Sequence, residues 1–149
     1  MPVELTPSGT RGVTMPRIPR PLLAILLPIA NVFLRARGMK LLSLTTTGAK
    51  SGNEHSVPLG YFPDGDSAWL VVASFGGAVK HPAWYFNLAR NPDKIWATVD
   101  GRRIRVNAES LAGEARDAAW RRIVAEAPIY SGYERKTDRV IPIVRLTPA

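Results

Sequence analysis

Apolar residues between positions 41 and 149 occur mostly in short runs, separated by clusters of glycine, proline, asparagine and aspartate. Short runs rich in β-branched and aromatic residues are typical of strands. The predicted strands are LLSLTTT (41–47), EHSVPLGYF (54–62), SAWLVVAS (67–74), KIWATV (94–99), RRIRVNAESL (102–111) and IPIVRL (141–146). Six short strands with few helices predict a mainly β protein with flanking helices (α+β), arranged as a small barrel.

Turn residues predict how these strands connect. Asp100-Gly101 lies between two of the runs and predicts a tight β-hairpin. The stretches GAKSGN (48–53) and PDGD (63–66) predict two further turns. Pro58 has no backbone N–H, so its strand is predicted to lie at a sheet edge or to contain a bulge there.

Two segments predict helices. Residues 80–90 form the first, and Asn91-Pro92 ends it. The second is GEARDAAWRRIVAE (113–126), which is amphipathic. Its predicted buried face consists of Ala115, Ala119, Trp120 and Ile123.

The first 40 residues differ from the rest, so we predict a boundary there, with a barrel domain over 41–149. Prolines and glycines predict an irregular arm over residues 1–20. The apolar run 22–34 is shorter than the roughly 20 residues that span a bilayer, and it predicts a short helix. This helix either packs across an open end of the barrel or lies on a membrane surface. A cleaved signal peptide is the third alternative.

The charge of the chain is concentrated near its beginning. Of the net charge of +8, residues 1–40 supply +5, from six basic residues and one acidic residue. Such a surface attracts phosphate-rich ligands, anionic lipid or nucleic acid. The basic residues do not alternate with aromatic residues along one face, which disfavours nucleic acid. For residues 11–40 this leaves contact with an anionic membrane surface, on the inner face of the cell membrane, as the alternative to packing against the barrel.

Several kinds of chemistry are disfavoured by what the sequence lacks. It has no cysteine, and His55 and His81 lack the spacing of paired metal ligands, so neither disulfides nor a metal site is predicted. It also has no Ser-His-Asp signature, no paired-carboxylate motif and no G-x-G-x-x-G fingerprint. A cytoplasmic redox protein that uses a bound carrier remains open.

Two glycine-rich stretches could bind an anion. In TTTGAKSG (45–52), Lys50 lies between two glycines, and it is either a solvated lysine on a surface hairpin or a contact to an oxyanion. In ASFGGAVKHP (73–82), a glycine pair precedes Lys80 at the start of the predicted helix. The first N–H groups of a helix point at an anion placed there.

Two groups of aromatic residues occur further along the chain. Trp84, Tyr85 and Phe86 are consecutive, so on a helix they face different directions and serve either the core or a pocket. Tyr130 and Tyr133 have helical i, i+3 spacing. Their hydroxyls either donate to a developing oxyanion or belong to residues that pack at the barrel rim.

Four stretches together resemble the deazaflavin-dependent nitroreductase family, over about residues 41–146. They are LTTTGAKSG, PLGYF, VVASFGGAVKHPAWYFNLARNP and TDRVIPIV. The resemblance implies a split β-barrel related to flavin reductases and pyridoxamine-phosphate oxidases. It also implies the cofactor coenzyme F-420, an 8-hydroxy-5-deazaflavin with a phosphate and an oligoglutamate tail. Hydride transfer from reduced F-420 to quinones, enones or nitroaromatic compounds is the implied reaction.

The resemblance also assigns residues to the site. The implied catalytic residues are Tyr130, Tyr133, Ser74 and Tyr61. The implied cofactor-binding residues are Lys50, Ser51, His55, Ser56, Val57, Pro58, Leu59, Gly60, Tyr61, Val72, Ala73, Ser74, Phe75, Gly76, Gly77, Lys80, Ala83, Trp84, Asn87 and Tyr130. No residue is assigned to a metal.

The chain departs from the family pattern at three positions. Ala49 and Phe75 stand where basic residues occur, which weakens the implied anion contacts, and Ala127 stands where a tyrosine occurs. Two alternatives to the F-420 enzyme stay open. One is an FMN-using split-barrel reductase, and the other is a non-enzymatic membrane-surface or small-molecule binding protein on the same barrel.

Overall fold

A computed structural model describes residues 3–12, 19, 21, 22, 25, 26, 28, 29, 40–74, 77, 78 and 80–149. Over these residues, antiparallel strands form a closed barrel in the order β1-β2-β3-β6-β5-β4. The elements are β1 (Leu41–Thr47), β2 (Glu54–Asp64), β3 (Ala68–Val72), α1 (Ala83–Arg90), β4 (Trp96–Val99), β5 (Arg102–Ser110), α2 (Gly113–Glu126), α3 (Ile129–Lys136) and β6 (Ile143–Pro148). The predicted mainly β barrel with flanking helices is confirmed.

Strand β2 splits the barrel because its two halves pair with different neighbours. Its first half, residues 54–60, pairs with β1, and its second half, residues 61–64, pairs with β3. Pro58 lies opposite Ser43 in the first half, whose other side has no strand partner in the described part of the chain. The prediction of an edge strand at Pro58 is therefore confirmed.

Local turn chemistry appears where the sequence predicted it. Asp100 and Gly101 have φ angles of 51° and 78°, the two positive values that a tight hairpin turn between β4 and β5 requires. The first predicted helix begins later than expected, at Ala83, because Pro82 has extended backbone (φ −67°, ψ 153°) and precedes the first helical turn. The last strand is displaced by two residues from its predicted position.

Two hydrophobic clusters hold the elements together. The barrel interior is filled by side chains of the strands and by Trp84, Tyr85 and Leu88 of α1. Helices α2 and α3 cover the outer face of β3 and β6 in the second cluster. Three predicted inward residues of α2 are buried, but Ala115 is exposed, which corrects that prediction. The buried residues of α2 lie between positions 119 and 123, whereas Ala115 belongs to its first turn.

Residues 3–12 are irregular, as predicted, but they pack against the barrel. Val3 belongs to the interior cluster, and the Tyr85 hydroxyl donates to the Glu4 carbonyl oxygen at 2.6 Å. The Asp138 carboxylate accepts hydrogen bonds from the backbone N–H groups of Thr10 and Arg11. The boundary at residue 40 stays a prediction, whereas this part of the segment contributes to the core.

Candidate functional site

A cavity of about 860 Å³ opens beside the first half of β2, which pairs only with β1 among the described strands. Its walls come from the turn after β1, from β2, from the end of β3, and from α1 and α3. The lining residues are Thr46, Gly48, Ala49, Lys50, Ser51, His55, Val57, Pro58, Leu59, Gly60, Val72, Ser74, Pro82, Ala83, Trp84, Phe86, Asn87, Ile129, Tyr130 and Tyr133. A volume of this size is typical of small-molecule and cofactor sites.

Most of the residues that the sequence assigned to a site line this one cavity. They are Lys50, Ser51, His55, Val57, Pro58, Leu59, Gly60, Val72, Ser74, Ala83, Trp84, Asn87, Tyr130 and Tyr133. Five others are described but are not among the lining residues: Ser56, Tyr61, Ala73, Gly77 and Lys80. Phe75 and Gly76 lie outside the described residues. The binding and catalytic roles of all of these residues stay predictions.

The five residues outside the lining have other surroundings. The Ser56 hydroxyl is hydrogen-bonded to that of Thr45 at 2.7 Å, and Tyr61 packs against the interior cluster. Ala73 is fully buried, whereas Lys80 is exposed. Gly77 lies against α3, where an added Cβ would be 2.8 Å from the Tyr133 carbonyl oxygen.

Six lining residues were not predicted as site residues: Thr46, Gly48, Ala49, Pro82, Phe86 and Ile129. Helical spacing could have indicated two of them. Phe86 follows Ala83 by three positions on α1, and Ile129 precedes Tyr133 by four positions on α3, so each shares a helix face with a predicted residue. Both are large apolar side chains that remain exposed, 36% for Phe86 and 58% for Ile129.

The glycine turn between β1 and β2 is closed by its own backbone and attached to α1. The Gly48 N–H donates to the Asn53 carbonyl oxygen at 2.8 Å, and Gly52 has the positive φ of 72° that the turn requires. The Asn87 Oδ1 atom accepts from the Ala49 N–H at 3.0 Å, and its Nδ2 donates to the Thr46 hydroxyl, also at 3.0 Å. Asn87 therefore holds this turn against α1, and its amide is engaged by protein groups.

One part of the cavity wall suits an anion. Lys50 is exposed there, and Ser51 Oγ lies 3.4 Å from His55 Nε2. No aspartate or glutamate is among the described residues that line the cavity. The wall thus offers a cation and polar hydrogen-bonding groups without a nearby carboxylate to oppose a negative ligand.

The tyrosines on α3 contribute a different chemistry. Tyr130 is buried, and its ring packs edge-to-face against Phe62 at 5.8 Å and against Tyr133 at 5.6 Å. Burial, with a smaller effect of Tyr133, raises the pKa of Tyr130 to about 12. The phenol therefore stays protonated near neutral pH and remains a hydrogen-bond donor at the cavity wall.

Residues 30–148 match the family model described as F420H(2)-dependent quinone reductase. The chain belongs to this family. An F420H(2)-dependent quinone reductase of Mycobacterium tuberculosis (strain H37Rv) is 43% identical over 110 residues, which cover 71% of this chain and 72% of that protein. The predicted membership of the deazaflavin-dependent reductases is confirmed.

Solved structures of reductases in this group show the same architecture. An F420-H2 dependent reductase designated FDR-A superposes with a TM-score of 0.63 at 38% identity, over 72% of this chain and 93% of that one. A pyridoxamine 5′-phosphate oxidase-like protein from Listeria innocua shares the fold, with a TM-score of 0.51 at 12% identity over 80% of this chain and 91% of its own. The predicted split β-barrel is confirmed.

Proposed function

We propose that the chain is an F-420-dependent quinone reductase whose active site is the 860 Å³ cavity. One observation carries the proposal: a single cavity combines a basic glycine turn with a wall of aromatic and hydroxyl side chains, within a fold of the F-420 quinone reductase family.

The residues present fit the chemical parts of the cofactor. Lys50 and Ser51 of the 48–53 turn would bind the phosphate and the carboxylate tail. The Val57–Gly60 edge of β2, with Val72 on one side and Trp84 on the other, supplies apolar surface for a planar ring. His55 of the same strand would lie along the ribityl chain, as the family resemblance implies, whereas Ser56 and Tyr61 do not line the cavity.

When bound and reduced, the deazaflavin supplies a hydride, because carbon replaces the reactive nitrogen of a flavin. The protein has two tasks. It holds the quinone against the ring in reactive geometry, and it stabilises the negative charge that develops on the quinone oxygen. The protonated Tyr130 hydroxyl would serve the second task, with Tyr133 beside it and Ser74 also in the cavity lining.

The acceptor pocket is proposed to admit enones and nitroaromatic compounds besides quinones. Phe86 and Ile129 present exposed apolar surface at the cavity, which suits flat hydrophobic acceptors of several classes. Ala127 packs in the cluster beneath α2 and α3 instead of lining the cavity. A panel of the three acceptor classes at fixed concentration of reduced F-420 tests this; turnover of quinones alone would restrict the proposal to that class.

Titration with F-420 and with FMN tests the central proposal. We expect F-420 to bind at micromolar affinity or tighter, and FMN to bind much more weakly because it lacks the polyanionic tail that the basic turn would hold. Ring fluorescence reports binding of both compounds. FMN binding as tight as that of F-420 would favour the flavin-using reductase, and lipid binding without any turnover would favour the non-enzymatic alternative.

Replacing Lys50 by alanine is expected to raise the Kd for F-420 about tenfold without slowing hydride transfer in the loaded enzyme. A contact to phosphate is the same in the ground state and the transition state, so its loss changes affinity only. Single-turnover kinetics separate the two effects, and Lys94→Ala, another exposed lysine, is the control. Higher salt should weaken binding to wild-type protein. Unchanged affinity for F-420 in Lys50→Ala would show that Lys50 is a solvated surface lysine.

The N-terminal segment is proposed to hold the protein on the cytoplasmic face of an anionic membrane. Leu22, Ile25, Leu26 and Ile29 lie on helical backbone, and their i, i+3, i+4, i+7 spacing places them on one face. Their exposed fractions are 41% to 62%. In the part of the chain that the structure describes, no helix has the length and apolarity needed to cross a membrane. An exposed apolar face with a charge of +5 over residues 1–40 suits a surface position.

We expect the double variant Ile25→Glu, Ile29→Glu to lose most sedimentation with vesicles that contain anionic lipid. The carboxylates disrupt the apolar face and repel the lipid head groups, while the cavity is untouched. Leu5→Glu is the control, because Leu5 is also half exposed but lies outside this face. Equal vesicle binding by the double variant and the wild-type protein would refute the proposed membrane contact.

A further inference from the structure

A buried arginine holds the connection that leads from β3 to α1. Arg139 is only 5% exposed. Its Nε donates to the Ala78 carbonyl oxygen at 2.8 Å, its Nη1 to that of Ala73 at 3.0 Å, and its Nη2 to that of Ser74 at 2.6 Å. No carboxylate forms an ion pair with it over the described ranges of the chain. Burying an unpaired charge is costly, so these carbonyl oxygens must supply its stabilisation.

One of the three carbonyl groups that Arg139 binds belongs to a residue of the cavity wall. Ser74 lines the cavity, and its carbonyl oxygen also accepts from the Gly77 N–H at 2.9 Å. Further along, Pro82 and Ala83 line the same cavity at the start of α1. A guanidinium has five N–H donors in a rigid plane, which lets one side chain bind three carbonyl groups in a fixed arrangement. Arg139 thereby sets the path of the backbone on both sides of the glycine pair.

The same guanidinium links this connection to the N-terminal segment through His81. Arg139 Nη1 lies 3.1 Å from His81 Nδ1, and His81 Nε2 lies 2.8 Å from the Thr6 carbonyl oxygen. An arginine can only donate and a carbonyl oxygen can only accept, so the imidazole accepts at Nδ1 and donates from Nε2–H. Burial lowers the pKa of His81, in keeping with this neutral form. Through His81, residues 3–12 are therefore hydrogen-bonded to the connection between β3 and α1.

We propose that Arg139 is a positioning residue of the active site: it orients Ser74 and the backbone at Ala73 and Ala78 so that the cavity is preformed for the cofactor. The proposal rests on the proposed function, since the cavity is taken to bind F-420. Arg139 does not line the cavity, and it acts through the carbonyl groups that it binds.

Two variants of Arg139 and one matched arginine variant test the proposal. Arg139→Ala removes all three hydrogen bonds to carbonyl groups, whereas Arg139→Lys keeps the charge but loses the planar set of donors. Arg116→Ala is the control, because Arg116 is also largely buried, donates to the Ile141 carbonyl oxygen at 2.8 Å and packs over Trp120, but does not line the cavity. Each protein is measured without cofactor by amide hydrogen exchange, and then by fluorescence titration with F-420.

In both Arg139 variants we expect faster exchange of the Gly77 amide and a Kd for F-420 raised about tenfold or more. Millimolar guanidinium should recover part of the affinity in Arg139→Ala, because it can occupy the vacated space. Arg116→Ala should lower the melting temperature and leave both readouts unchanged. If Arg139→Ala does not fold, the two measurements on Arg139→Lys decide the test.

Wild-type exchange and wild-type F-420 affinity in Arg139→Lys would overturn the proposal, and so would equal changes in Arg116→Ala. Binding of F-420 by the wild-type protein is measured first, which separates this proposal from the proposed function. If wild-type protein does not bind F-420, the proposed function fails, while the exchange of Gly77 still reports whether Arg139 orders the connection.

Discussion

Tyr130→Phe is expected to lower the turnover number for quinone reduction by about 10²–10³, with the Kd for F-420 nearly unchanged. The substitution keeps the ring that packs on Phe62 and Tyr133 and removes only the hydroxyl. Negative charge develops on the quinone oxygen as the hydride arrives, and in the proposed role the hydroxyl would stabilise it more in the transition state than in the ground state. Single-turnover oxidation of reduced F-420 measures the effect on the chemical step.

Two further variants define what a smaller effect would mean. Tyr85→Phe is the matched control, because the Tyr85 hydroxyl donates to the Glu4 carbonyl oxygen and its loss should cost about 1 kcal/mol of stability without slowing turnover. Tyr133 is placed to compensate for Tyr130, so the double Tyr130→Phe, Tyr133→Phe variant should be slower than either single variant. Full activity in the double variant would show that both tyrosines serve only in packing. The proton that neutralises the reduced quinone oxygen would then come from water or from Ser74.

Gly77→Ala is expected to lower the free energy of unfolding by about 3 kcal/mol or more. Gly77 has a φ of 82°, which residues with a Cβ rarely adopt. The added Cβ would also lie 2.8 Å from the Tyr133 carbonyl oxygen and 2.9 Å from the Lys136 Cβ, so the connection and α3 would have to separate. For a chain of this size, the melting temperature should fall by about 2–4 °C for each kcal/mol.

Gly65→Ala separates backbone strain from the contact with α3. Gly65 has a similar φ of 71°, but nothing lies within 4 Å of a Cβ added there. It should lose about 1–2 kcal/mol and keep full turnover. Gly77→Ala should lose more stability and also turn over more slowly, because Tyr130 and Tyr133 lie on the displaced helix. Equal stability losses in the two variants would show that α3 accommodates the extra methyl group.

The elements of this fold were predictable because their signals are local. The hairpin at Asp100-Gly101 needs two positive φ values that this pair adopts readily, and the helix at 113–126 follows from the spacing of its apolar residues. Pro58 predicted a sheet edge or a bulge because a missing N–H is tolerated at such positions. The motif around residues 74–92 predicted the family, and residues 30–148 match its model.

The order of the strands and the membership of the site depended on long-range contacts. The pairing of β3 with β6 joins residues more than 70 positions apart, so no local sequence pattern predicts it. Lys80 and Lys50 look alike in the sequence, but only Lys50 lines the cavity. Asn87 offered a donor and an acceptor for a ligand, and the structure shows both engaged by Ala49 and Thr46.

Sequence by itself determined the strands, the turns, helices α1 and α2 and the family, because each rests on backbone preferences or on a motif contained in a short stretch. Helix α3 was not among the predicted elements. Tertiary structure alone decided that Val3 enters the core, that His81 is a buried neutral imidazole, and that Arg139 binds the backbone behind the cavity. In the sequence, nothing about a single arginine or valine indicates whether it will be buried or which groups it will contact. The cost of burying its charge, or the gain from burying its apolar surface, exists only once distant segments enclose it.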